Sequence, residues 1–85
     1  MERYKLEVTG SFERDFRKLD PQLKQRLDSA IRTLETDPHL GKLLRGELSS
    51  KRSLRIGDYR VIYVIDEEKN TVTLYSVRHR KVAYR

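Results

Sequence analysis

Apolar and polar positions alternate at the start of the chain. Tyr4–Thr9 (YKLEVT) reads as a strand with Tyr4, Leu6 and Val8 on one face. Gly10-Ser11 breaks that pattern, and Ser11 has the chemistry of a helix N-cap. Phe12, Phe16 and Leu19 then recur at helical spacing, which predicts a short amphipathic helix over Ser11–Leu19. Asp20-Pro21 is a strong start signal: a capping carboxylate followed by proline where no N–H is needed. Leu23, Leu27, Ala30, Ile31 and Leu34 fall on one stripe, so a second helix is predicted to about Glu35, with Asp37-Pro38 as its stop. The stretch 39–50 reads as a connection whose leucines (Leu40, Leu43, Leu44, Leu48) should tuck beneath a sheet.

The periodicity then changes to two. Arg52–Ile56 alternates, Gly57-Asp58 supplies a turn, and Tyr59–Ile65 is β-branched and aromatic nearly throughout, as a central strand covered on both faces would be. Asp66–Asn70 is a polar turn, and Thr71–Val77 alternates again as a last strand. The predicted order is β-α-α-β-β-β. It implies a two-layer α+β fold with a helical hairpin on one face of a mostly antiparallel four-stranded sheet, leaving the other face open.

Length, charge and missing residue types narrow the function. Eighty-five residues correspond to one domain, 1–85. With no cysteine there is no disulfide framework and no thiol chemistry. No apolar run approaches the roughly 20 residues of a membrane span, and MERYKLEVTG lacks a signal-peptide apolar region, so a cytoplasmic location is expected. The formal net charge is +6. Residues 1–40 hold eight Lys/Arg against eight Asp/Glu, whereas residues 41–85 hold eleven against five. The whole excess therefore belongs to the sheet half, which points to a polyanionic partner: nucleic acid, ribosome or an acidic protein.

The candidate groups are Lys51, Arg52, Arg55, Arg60, Arg78, His79, Arg80, Lys81 and Tyr84. If the strands that begin near Arg60 and end near Arg80 are antiparallel neighbours, these cations converge on one edge of the sheet. Guanidinium groups bind phosphate oxygens with paired hydrogen bonds and can stabilise the extra charge of a phosphorane-like transition state. RNA carries its own nucleophile, the 2′-hydroxyl. Tyr84, Lys51 and His79 are the candidate proton carriers, and Tyr84 can alternatively stack on a base. Tyr59, Tyr63 and Tyr75 read as sheet packing, and His39 as a loop histidine. There is no paired-carboxylate site, Gly-rich phosphate loop or GxSxG nucleophile motif.

Three segments carry a family resemblance: LLRGEL (43–48), SLRIGDYRVIYVID (53–66) and SVRHRKVAYR (76–85). With the helical pattern before them, the whole chain resembles the RelE/ParE superfamily of type II toxins. The RelE branch implies a ribosome-dependent, metal-independent endoribonuclease that cleaves mRNA in the A site. It also implies a RelB-like antitoxin, and neither a membrane nor a small-molecule cofactor. RelE-type sites use two lysines before the hairpin turn, an arginine after it, a late arginine and a following tyrosine. The resemblance places these on Lys51, Ser53, Arg60, Arg80 and Tyr84. Ser53 carries no charge, and Arg52 or Arg55 is expected to replace what is missing. A late histidine carries protons in some members, which keeps His79 a candidate. Arg52, Arg55, Arg78 and Lys81 are left as RNA-binding groups. Two alternatives stand beside this reading: a non-catalytic ParE-like inhibitor of DNA gyrase, and a basic RNA-binding module without cleavage.

Overall fold

A computed structural model describes residues 3–44 and 50–79. Strand β1 (Lys5–Val8) leads into helix α1 (Gly10–Arg17) and helix α2 (Pro21–Arg32). Two short 3-10 turns (Thr33–Glu35 and Pro38–Leu40) lead to β2 (Lys42–Leu43), followed by β3 (Arg52–Ile56), β4 (Tyr59–Asp66) and β5 (Thr71–His79). The five strands lie in the order β1-β5-β4-β3-β2. All neighbours are antiparallel except β1, which runs parallel to β5.

The α+β layering matches the expectation, and the sheet has one strand more than expected. That strand, β2, is two residues long, too short for any alternation to register. Its surroundings also correct a packing expectation. Leu40 and Leu43 do not tuck beneath the sheet but are 54% and 51% exposed. Pro38 is buried in that region instead, and Tyr63 reaches its carbonyl from the sheet. Leu48 lies outside the described residues.

Helix boundaries follow their caps. Asp20 caps α2 as predicted, its carboxylate accepting from the Leu23 N–H at 2.9 Å. Helix α1 is capped by Thr9 rather than Ser11. The end of β1 holds Thr9 extended: its N–H donates to the Leu74 carbonyl and its hydroxyl donates to the Tyr75 carbonyl. The same hydroxyl then accepts from the Phe12 N–H at 3.1 Å. After Arg32 the second helix tightens into a 3-10 turn, which still buries Leu34 completely.

The core lies between the helices and one sheet face. Phe12, Leu27, Ile31 and Leu34 meet Leu54, Val61, Tyr63, Val72, Leu74 and Val77. Each such side chain contributes about 1.5–3 kcal/mol by burial. Strand β4 is central, as its nearly continuous β-branched and aromatic run predicted. Val8 departs from the expected face pattern and is 45% exposed. At the β3–β4 turn Gly57 has φ +60°, and the guanidinium of Arg26 lies against it. A side chain there would be strained by the backbone alone.

Candidate nucleic-acid interface

Strand alternation assigns each cation to a face. Core residues Leu54, Val61 and Val77 share one register across β3, β4 and β5. Stepping one residue along each strand gives the opposite face: Arg55 is paired with Arg60, and Arg60 with Arg78. Three arginines thus stand side by side on three adjacent strands of the face that the helices leave uncovered. Directly opposed residues have Cβ atoms about 4.5–5.5 Å apart, and like charges at that spacing are destabilising. A phosphate placed over the row turns that cost into attraction. The Arg55 Nε also donates to the Gly57 carbonyl at 3.3 Å, which fixes the side chain near the turn.

The next row on this face is Lys42, Ser53, Ile62 and Ser76. Ser53, Ile62 and Ser76 are each 8% exposed and form an uncharged floor beside the arginines. A cleft of about 210 Å³ opens here, lined by Lys42, Leu44, Ser53, Arg55 and Arg60. Two larger grooves lie on the helical side. One, about 600 Å³, runs along α2 and touches Ile56; the other runs between the helices beside Val8 and Phe12. Neither gathers cations from several strands, so the smaller cleft is the better site for an anion.

A register shift between Ile62 and Tyr63 leaves Tyr75 as an extra residue on β5. Its side chain is 38% exposed instead of packed within the sheet, as the sequence reading had it. The Lys51 ammonium lies 4.9 Å from the centre of the Tyr75 ring. Lys51 therefore belongs to the open face, further along it than the arginine row.

Two expected site residues are directed elsewhere. Arg52 alternates away from Lys51 and Ser53, and its Nη1 donates to the carbonyls of Gly41 (2.9 Å) and His39 (3.5 Å). It fastens the β2 segment to β3 and does not replace charge at position 53. His79 pairs with Tyr59 in register and packs edge-on against that ring at 5.0 Å. This places it on the side opposite Arg60 and Arg78. His39 lies 3.7 Å from Glu67, which also accepts from the Tyr4 hydroxyl. Arg80, Lys81 and Tyr84 lie outside the described residues. Lys42 was missed by sequence reasoning because a two-residue strand carries no pattern. Tyr75 reads as sheet packing because the bulge that exposes it leaves no local signal in the sequence.

These features define a class: a small basic α+β protein with helices on one sheet face and a cation-lined cleft on the other. A family model described as the ParE toxin of the type II toxin–antitoxin system parDE matches residues 6–84. The chain is 39% identical over 84 residues to Toxin RelG of Mycobacterium tuberculosis, spanning 96% of this chain and 97% of that one. It is 33% identical over 84 residues to Toxin RelE of the same organism, spanning 96% and 87%. The chain belongs to the RelE/ParE superfamily, the toxins of type II toxin–antitoxin systems. Among solved structures, the toxin–antitoxin complex RelBE2 from M. tuberculosis contains a chain that superposes with a TM-score of 0.87 at 36% identity, covering 94% of each chain. The isolated E. coli RelE toxin shares the fold, with a TM-score of 0.80 at 22% identity over 95% of this chain and 88% of that one. Among the described residues no helix is long and apolar enough to cross a membrane.

Proposed function

We propose that this toxin is a ribosome-dependent endoribonuclease that cleaves mRNA in the ribosomal A site and so stops translation. The observation that carries this reading is the Arg55–Arg60–Arg78 row bordering the cleft. In the reaction the RNA 2′-oxygen bonds to the adjacent phosphorus and the bond to the 5′-oxygen breaks. The proton of the 2′-hydroxyl is lost, and the departing 5′-oxygen gains one. Arg60 and Arg55 bind the phosphate oxygens on which negative charge grows, where fixed cations stabilise the transition state more than the ground state. Arg78 extends the row toward the neighbouring phosphate. Lys51, Arg80 and Tyr84 are assigned to the site by the family pattern, and no metal is required by this scheme.

The solved relatives include RelE toxins bound to RelB antitoxins. We take a RelB-like antitoxin as the partner here. An acidic chain would complement the +6 charge. The ParE description of the matching family model favours a second reading, inhibition of DNA gyrase by binding.

The test adds the purified chain to translating ribosomes on a defined mRNA and maps 5′ ends by primer extension, with naked mRNA and Arg60→Ala as controls. Cuts inside the A-site codon are expected, absent from naked mRNA and reduced about 100-fold or more by Arg60→Ala, the scale of a lost transition-state donor. Intact mRNA together with blocked supercoiling in a gyrase assay would instead establish the ParE reading.

A further inference from the structure

Arginines bind phosphate well but do not give up a proton. The 5′-oxygen must acquire one as it leaves. The groups lining the cleft are Lys42, Leu44, Ser53, Arg55 and Arg60. His79 points to the other side of the sheet, and the Lys51 ammonium lies over the Tyr75 ring, outside this lining. Lys42 therefore brings the one ammonium group to the cleft among its described lining residues.

The placement of Lys42 follows from register. It lies directly across from Ser53 on the antiparallel β2–β3 pair. Directly opposed side chains share a face, so Lys42 rises on the face of Ser53, Arg55 and Arg60. Arg55 is its diagonal neighbour, about 7–8 Å away along the same pair. Ser53 is small and 8% exposed, which leaves the space above it to the longer side chain from β2. The edge strand thus delivers a cation to a register position where β3 itself has none.

On the endoribonuclease reading above, we propose that Lys42 is a catalytic residue of this toxin, the general acid that protonates the leaving 5′-oxygen. As the P–O5′ bond breaks, the Lys42 ammonium passes one proton to that oxygen and becomes an amine. The 2′-hydroxyl proton leaves to water, and water returns a proton to Lys42 after the product departs. Protons and charge balance over the cycle. Of the two arginines expected to replace the charge missing at position 53, Arg55 lines the cleft and Arg52 does not. Arg52 is tied to carbonyls, and Arg55 holds phosphate without being able to donate a proton.

The experiment uses the full-length toxin on translating ribosomes and measures single-turnover cleavage. Lys42→Ala is expected to slow cleavage 10²–10⁴-fold, the usual worth of general acid–base catalysis. Lys42→Arg, which keeps the charge, is expected to remain slow. Lys42→Ala combined with Ser53→Lys moves the ammonium across the strand pair and is expected to restore cleavage to within about tenfold of wild type. An mRNA with sulfur in place of the scissile 5′-oxygen has a leaving group that needs no proton, so Lys42→Ala should cleave it nearly as fast as wild type does. Lys42 is exposed on an edge strand, and unchanged thermal unfolding of each variant confirms that folding is not the cause. If wild type cuts and Lys42→Ala or Lys42→Arg cuts equally well, the proposal is overturned while the nuclease reading stands. Equal slowing on the oxygen and sulfur substrates, or failure of the double variant to regain cleavage, would overturn it as well. If wild type makes no cut, the nuclease reading falls first and takes this inference with it.

Discussion

Tyr63 is fully buried, yet both hydrogen-bonding roles of its hydroxyl are filled. It donates to the Pro38 carbonyl at 2.7 Å and accepts from the Gly41 N–H at 2.9 Å. A Cβ on residue 41 would come within 2.5 Å of that hydroxyl and 3.0 Å of the Ser53 carbonyl, so Gly41 is required for close approach. Tyr63→Phe leaves two buried backbone groups unpaired and is expected to cost about 1–3 kcal/mol in urea unfolding. Burial holds the Tyr63 pKa above the usual phenol value, while the bond from Gly41 pulls it down. A pKa raised in the folded state gives stability that is complete below the unfolded value, about 10, and is lost as pH rises through the folded one. The stability gap between wild type and Tyr63→Phe should therefore narrow above about pH 10. The sequence reading placed Tyr63 in the packing correctly. Its partners lie 22 and 25 residues away, at the two ends of the second 3-10 turn, where no local pattern points to them.

At the scale of elements, β5 outruns its neighbour β1. The pairing between them ends at Val8 and Leu74, while β5 continues to His79. The exposed edge is closed from α1. Asp15 accepts the Val77 N–H at 3.0 Å, and Thr9 accounts for the Leu74 and Tyr75 carbonyls. One helix thus caps a strand edge that would otherwise invite pairing with another chain. Asp15→Ala is expected to cost about 1.5–3 kcal/mol, the range for hydrogen bonds to charged groups. It should also speed hydrogen exchange at the Val77 amide; an unchanged exchange rate would show that Asp15 does not close the edge. On the sequence Asp15 reads as one more polar residue of an amphipathic helix. Only the docking of α1 against β5 gives it this second task.

At the scale of the molecule, a net charge of +6 is converted into a directional surface. The helices occupy one sheet face, and Lys42, Lys51, Arg55, Arg60 and Arg78 come together on the other. Binding to single-stranded RNA should weaken as salt rises, with a log–log slope of about −0.7 per phosphate neutralised. Replacing Arg55, Arg60 and Arg78 together by Gln is predicted to make that slope shallower by about 2, measured by fluorescence anisotropy with a short oligonucleotide. A slope that stays the same would mean that the charge works elsewhere on the surface.

The fold class, the helical hairpin, the central β3–β4 hairpin and the location of the charge in the second half of the chain were all readable along the sequence. These rest on local chemistry: helical or alternating periodicity, Asp-Pro caps and Gly-Asp turns, all legible within a few residues. The tertiary structure decided which of the charged residues share a face. That depends on register and on a bulge, because a shift of one residue sends a side chain to the opposite side of a sheet. It set Arg52 and His79 away from the row, raised Tyr75 out of the packing and made a strand of Lys42–Leu43. It brought Lys42 beside Ser53 through hydrogen bonds between segments that no local pattern connects.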